Sequence, residues 1–316
     1  MEKINNVIII GSGPAGYNAA LYCARGLLEP ILFEGKIGED IIPGGQLTTT
    51  TEVENYLGMD EGILGWDLSE KFKKHAIKYG TKVIDESVTK VDFSNKPYKI
   101  WYGDNEEPLL TKTVVIATGA FAKRLHVVGE DELWQKGISA CAVCDGALPL
   151  FRNGRLFVVG GGDTAMEEAL FLTKYAKEVF IVHRRDKFRA SGFMAQKVIS
   201  HPKIQILWNS SVVQAIGSSR LQSVVIHNHL TDEKYTESAN GLFYAIGHQP
   251  NSSIFSSFID TDVDGYIIVK PGTSQTSLSG IFAAGDVCDK IYRQAITAAG
   301  FGCMAAHDVD NYLQHL

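Results

Sequence analysis

Residues 7–16 read VIIIGSGPAG: four aliphatic residues, Val7 to Ile10, run into Gly11-x-Gly13-x-x-Gly16, and Ala19, Ala20, Leu21 and Cys23 follow at helical spacing. Strand, glycine turn and helix in that order open a nucleotide-binding α/β unit. Gly11 permits the tight turn, Gly13 lets backbone approach a pyrophosphate, and Gly16 lets the helix pack on the strand. The free N–H groups at the helix start then face the phosphates. A second apolar run, Ile31-Leu32-Phe33, ends in Glu34, 23 residues after Gly11. A carboxylate there accepts hydrogen bonds from a ribose diol. Glycines at this spacing also suit a plain strand–turn–helix with a surface Glu, so it is the acid at this distance that favours a nucleotide.

The pattern occurs twice. Residues 156–165 read LFVVGGGDTA, with Gly160, Gly162 and Ala165 at G-x-G-x-x-A spacing, 149 residues after the first copy. At the same offset from Glu34 stands His183, which opens the run HRRDKFRA. The acid has given way to a basic cluster of His183, Arg184 and Arg185, with Arg189 close behind. A carboxylate repels a 2′-phosphate, whereas guanidinium groups bind it bidentately. The first site is therefore expected to take a nucleotide with a free ribose diol and the second to take NADP(H). A solvated helix start would carry the same charges, and only the matched offset separates the two readings.

Glycine makes up 31 of 316 residues and gathers directly after apolar runs, at GSGPAG, PGGQ, ATGA, VVGGGD, AIGH and FAAGD. Two of these junctions, Ala117-Thr118-Gly119 and Ala284-Gly285-Asp286, end strands outside both motifs. An Asp at such a junction suits a ribityl or phosphate-linked hydroxyl. If the chain after 280 closes the first nucleotide domain, that domain is discontinuous. The fold class expected is α/β, with two Rossmann-like domains, the second inserted into the first: 1–118 and 249–316, then 119–248. The crossings near Gly119 and Gly247 would form a double-stranded hinge. Two sequential domains with a helical tail would leave FAAGD without a role.

Cys141-Ala142-Val143-Cys144-Asp145-Gly146 contains a C-x-x-C. Such a pair can be half a zinc site, two buried thiols or a redox couple. Cys23, Cys288 and Cys303 are isolated and no second ligand pair accompanies them, so no metal is expected and the redox reading leads. Asp145 beside the pair can move a proton as the disulfide opens.

A hydrophobic share of 45% and a net charge of −6 describe a globular chain with no basic excess for gripping nucleic acid phosphates. No apolar stretch approaches the roughly 20 residues of a membrane span, and Val7–Ile10 is too short for a signal-peptide core. Five cysteines do not suggest a secreted disulfide framework. No nucleic acid, no membrane and a cytoplasmic location are expected.

The runs GSGPAG, GGQLTTTTEVENY, ATGA, CAVCDG, GGGDTAMEEA, VHRRDKFRA, FYAIG and GIFAAGDVCDKIYRQAITAAGFGCMAA together resemble a low-molecular-weight thioredoxin reductase, from about Val7 to Leu313. The resemblance implies an FAD-containing, NADPH-dependent homodimer that reduces thioredoxin. It places FAD against Gly11, Ser12, Gly13, Pro14, Ala15, Glu34, Gly35, Ile42, Gln46, Asn55, Val88, Ala117, Gly119, Gly285, Asp286, Arg293, Gln294 and Ala295. It places NADPH against Gly160, Gly162, Asp163, Thr164, Ala165, His183, Arg184, Arg185 and Arg189. It makes Cys144 the flavin-facing sulfur, Cys141 the thiolate that attacks thioredoxin, Asp145 the acid/base group, and rotation of the inserted domain part of turnover. Leu57 stands where a proline is common and Pro43 where a small residue is more usual; neither is a ligand side chain. A flavin-dependent dithiol oxidase on the same fold is the alternative, against which the basic cluster counts. A non-enzymatic flavin module or zinc-stapled adaptor is the reading from another class.

Overall fold

Val7, Ile8, Ile9 and Ile10 are all buried, and they alternate between two different cores. Val7 and Ile9 face Ala19, Ala20, Val115 and the helical residues Ala305 and Val309. Ile8 and Ile10 face Tyr98, Ile100, Phe255 and Ile281. A strand covered on both faces needs a continuous apolar run rather than an alternating one, and that is what these residues supply. The computed structural model describes residues 3–36, 43–50 and 52–316. It divides the chain into two compact units, residues 1–121 with 249–316, and residues 122–248.

In the first unit, Lys82–Ile84, Ile31–Phe33, Ile4–Ile10 and Leu109–Ile116 lie side by side as parallel strands. Leu109–Ile116 then serves two neighbours on its far side. Its first residues pair antiparallel with Tyr98–Tyr102, which pairs with Val88–Asp92, and its last three pair parallel with Ile281–Ala283. Helices Pro14–Arg25, Gly65–Lys78 and Ala295–Gln314 carry the helical core. Small residues let the first and last of these approach closely enough for Asn18 Nδ2 to donate to Ala299 O at 2.5 Å.

The second unit repeats the plan. Its five parallel strands run in the order Ile138–Ser139, Gly241–Tyr244, Arg155–Val159, Glu178–Val182 and Ile204–Leu207. Leu156 and Val158 face the side of helices Asp163–Leu172 and Gly192–Ile199, while Phe157 and Val159 face Val212, Val224 and Ile226. Those last residues belong to an antiparallel meander, Ser210–Gly217, Leu221–Asn228 and Lys234–Ser238. The meander is an element that the motifs of the sequence do not announce.

The chain crosses between units at residues 121/122 and 248/249. Gly119 (φ +68°) and Gly247 (φ +97°) stand beside the two crossings in conformations that other residues rarely adopt. Asn251 holds the first unit's side, donating to Gly119 O and Thr118 O, both at 2.9 Å. On the second unit's side, Lys123 N–H donates to Gly247 O at 3.0 Å. Among the described residues no helix is long and apolar enough to cross a membrane.

Candidate active site and nucleotide-binding loops

In the first glycine loop the protein's own backbone forces two glycines and leaves the third free. Gly11 has φ +110°, and a Cβ there would lie 2.3 Å from Ala117 O. A Cβ on Gly16 would lie 1.9 Å from Gly11 O, but one on Gly13 would meet no atom within 4 Å. Pro14 begins the helix at a position where a missing N–H costs nothing. Ser12 ties the loop to its surroundings: its Oγ donates to Glu34 O at 2.8 Å and accepts from Gly44 N–H at 2.9 Å. Glu34 is buried. Its Oε1 accepts from Tyr17 OH at 2.6 Å and its Oε2 pairs with Lys73 at 2.5 Å, which compensates the buried charge. Gly35 follows, donating to Glu86 O at 3.2 Å.

The FAAGD junction reaches the same loop. Gly285 (φ +78°) sits so near Ala15 that a Cβ on it would lie 2.8 Å from Ala15 Cβ. Burial pushes the Asp286 carboxyl up to about 7, the charge of Asp289 adds to this, and Arg293 opposes it. Asp289 organises the segment before the last helix, its carboxylate accepting the N–H groups of Ile291, Tyr292 and Arg293 at 2.9, 3.0 and 3.2 Å. Gln294 caps that helix through a reciprocal box with Thr297, and Ala295 is its first residue. Asn55 Nδ2 donates to Gln294 Oε1 at 3.1 Å. Gln46 is exposed at the start of a short turn, and Val88, half-buried, begins its strand. Ile42 lies outside the described residues.

The second loop has the same logic. A Cβ on Gly160 would lie 2.5 Å from Ala245 O and 2.8 Å from Ala165 Cβ, whereas one on Gly162 would meet nothing within 4 Å. Asp163 and Thr164, the first helical residues, are exposed, and Ala165 is buried. Arg184, Arg185 and Arg189 are all exposed. The structure does not bring the His183 ring to that exposed face. His183 is buried, its Nε2–H donates to Lys187 O at 2.9 Å, and burial holds its imidazole below the usual range. The middle glycine explains this placement, because a Cβ on Gly161 would lie 2.1 Å from His183 Cε1. Open space off Gly13 and Gly162, each two residues after a glycine closed by backbone, fits a dinucleotide phosphate at both loops.

Cys141 and Cys144 form a disulfide, with Cα atoms 5.3 Å apart. Cys141 caps the short helix Ala142–Asp145, and its Sγ accepts the N–H of Cys144 at 3.2 Å. Asp145 ends that turn and is 4% exposed. Burial pushes its carboxyl up, against the hydrogen bond that Ser139 Oγ donates to Oδ2 at 2.5 Å. The same Ser139 Oγ accepts the Cys141 N–H at 3.0 Å. A disulfide, a buried carboxyl on the same turn and a hydroxyl linking that carboxyl to the Cys141 N–H are an arrangement suited to dithiol–disulfide chemistry.

A family model described as pyridine nucleotide-disulphide oxidoreductase matches residues 5–302. The chain belongs to this family. It is 55% identical over 315 residues to the mitochondrial thioredoxin reductase 1 of Arabidopsis thaliana, covering 98% of this chain and 84% of that protein. It is 54% identical to the thioredoxin reductase of Yarrowia lipolytica, with 97% of each chain covered. Among solved structures, thioredoxin reductase from Giardia duodenalis superposes with a TM-score of 0.90 at 41% identity, covering 98% of both chains. That from Streptococcus pyogenes gives 0.91 at 38% identity, covering 100% of both. The resemblance to low-molecular-weight thioredoxin reductases thus holds across nearly the whole chain, as does the α/β class with Rossmann-like units.

Four residues that support these sites were not singled out in the sequence: Tyr17 and Lys73 on Glu34, Ser139 on Asp145, and Asp289 before the last helix. Ser139 stands two residues before the C-x-x-C, and that proximity is its only signal. Tyr17 lies on the motif helix, but Lys73 is 39 residues from the acid it meets. Leu148 and Leu150, just beyond the cysteine pair, are partly buried and pack on the second unit's core.

Proposed function

We propose that this chain is an NADPH-dependent thioredoxin–disulfide reductase, working as a homodimer in the cytoplasm. The observation that carries this is the Cys141–Cys144 disulfide with the buried carboxyl of Asp145 on the same turn. We assign FAD to the first unit, along the Gly11–Ala15 loop, Glu34 and the Gly285–Asp286 junction. We assign NADPH to the second, along Gly160–Ala165 and the exposed arginines. FAD, when bound, supplies a two-electron carrier between NADPH and the disulfide.

The remaining chemistry belongs to the chain. Opening the disulfide takes two electrons and leaves two sulfurs that share one or two protons. The Cys144 N–H directed at Cys141 Sγ favours the charge on that sulfur, which makes Cys141 the attacking thiolate. Its attack breaks the partner's disulfide and forms a mixed disulfide. Cys144 then displaces the partner, re-forming the internal bond. Asp145, whose carboxyl burial pushes up, gives a proton to the leaving sulfur and recovers one from Cys144 as that thiol attacks. Gly119 and Gly247 are the positions that would absorb a rotation of one unit against the other. A crosslink between units that left turnover intact would refute that motion.

The dithiol oxidase is the competing reading, and three exposed arginines after the second motif strand count against it. The two are separated by following NADPH oxidation with oxidised thioredoxin, and oxygen uptake with dithiothreitol. A reductase gives thioredoxin-dependent NADPH consumption and negligible oxygen uptake; the reverse result rejects the proposal.

A further inference from the structure

The segment 183–191 is built as one piece with the second glycine loop. Ser191 contributes its N–H and its hydroxyl, both donating to Asp163 Oδ1, at 2.9 and 2.8 Å. Arg189 and Ala190 donate their N–H groups to Gly161 O, at 2.7 and 3.1 Å. From below, His183 bonds to Lys187 O, and Phe188 lies on Trp208 with ring centroids 4.4 Å apart. Arg184, Arg185 and Arg189 are thereby presented on a backbone tied at both ends, while their own side chains stay exposed. Asp163 is where sequence reasoning expects a nucleotide ligand, yet one of its oxygens holds this segment.

We infer that Asp163 and Ser191 are positioning residues that set the preference for a 2′-phosphorylated nucleotide by fixing the arginine segment to the glycine loop. The inference rests on the NADPH reading of the second unit and adds to it. The physical ground is preorganisation. If the segment holds the binding geometry for only a fraction of the time, the apparent affinity for the 2′-phosphate falls by that fraction. The loop N–H groups that would meet a 5′-phosphate belong to a different stretch of chain from the arginines, so the two halves of the ligand should respond differently.

The test is calorimetric binding of adenosine 2′,5′-bisphosphate and of 5′-AMP to the holoenzyme. Ser191→Ala removes one bond to the carboxylate and should weaken the bisphosphate by about threefold; Asp163→Ala removes both and should weaken it by about tenfold. Ser191→Ala should not change 5′-AMP by more than about a factor of two, Asp163→Ala should weaken 5′-AMP less than it weakens the bisphosphate, and the double variant should match Asp163→Ala. Equal weakening of both ligands would make Asp163 a direct phosphate-side contact and overturn the inference, as would unchanged bisphosphate affinity in Asp163→Ala. Arg184→Ala combined with Arg185→Ala separates the levels. Loss of the 2′ preference there but not in Asp163→Ala overturns the positioning role alone. A preference that survives the arginine changes overturns the 2′-phosphate reading and the positioning role with it.

Discussion

Alanine at Gly11 and alanine at Gly13 differ by two positions in sequence and should differ in sign. At Gly11 the new Cβ would lie 2.3 Å from a backbone oxygen, at φ +110°. The backbone strain alone is worth about 1–3 kcal/mol, and Ala117 O cannot rotate away. Gly11→Ala should therefore lose at least about 3 kcal/mol of stability. At Gly13 the backbone is extended, with φ −69° and ψ −177°, and nothing lies within 4 Å. With no strain and a stiffer unfolded chain, Gly13→Ala should gain about 0.4–1 kcal/mol, or roughly 1–4 °C in the melting temperature of the flavin-free protein. The same methyl group occupies the space left for the phosphates. Overpacking of about 1–3 kcal/mol would weaken FAD by roughly 5- to 150-fold. Scanning fluorimetry of flavin-free protein gives the stability, and quenching of flavin fluorescence on titration gives the affinity. A Gly13→Ala protein that melts as early as Gly11→Ala, or that binds FAD as the parent does, refutes the division of roles. Gly162→Ala is the parallel case for NADPH.

Three further outcomes are expected. Asp145→Asn keeps the geometry and removes the proton, so thioredoxin reduction should slow by about 10²-fold or more while the KM for NADPH stays unchanged in steady-state assays. Asp286 is raised from 3.8 to about 7 in the fold, so the native state holds its proton more tightly than the unfolded chain. Its contribution to stability is then present below about pH 4 and is lost as pH rises towards 7. The urea midpoint of flavin-free protein should fall across that window, and the fall should shrink in Asp286→Asn. Replacing Arg184 and Arg185 by alanine should raise the KM for NADPH by about 10- to 100-fold with little effect on NADH, as read from initial rates with each nucleotide.

What the sequence disclosed was local: a glycine turn and its helix, a pair of cysteines, an acid at the end of a strand. These depend on residues a few positions apart, and their spacing carries them. The supports escaped because they come from packing. Lys73 reaches Glu34 from a different helix, and Asn55 and Gln294, each named by the resemblance, turn out to meet each other across 239 positions. His183 shows the limit most clearly. The offset from Glu34 marks the right strand end and the right change of charge, yet the imidazole turns inward over Gly161, and the charge is presented by Arg184, Arg185 and Arg189. The middle glycine of GGG reads as mere repetition until that ring is seen beside it. The antiparallel meander of residues 210–238 carries neither motif nor glycine cluster, so nothing in the sequence drew it out.

The central claim is an electron path from NADPH through FAD and the Cys141–Cys144 disulfide to thioredoxin. It is tested most directly by adding NADPH anaerobically to the purified protein and then adding oxidised thioredoxin. The flavin absorbance should bleach with NADPH, far less with NADH, and return on adding thioredoxin, while Cys141→Ser and Cys144→Ser bleach and do not return. Flavin that NADPH leaves oxidised, or a cysteine variant that thioredoxin still reoxidises, would contradict that path.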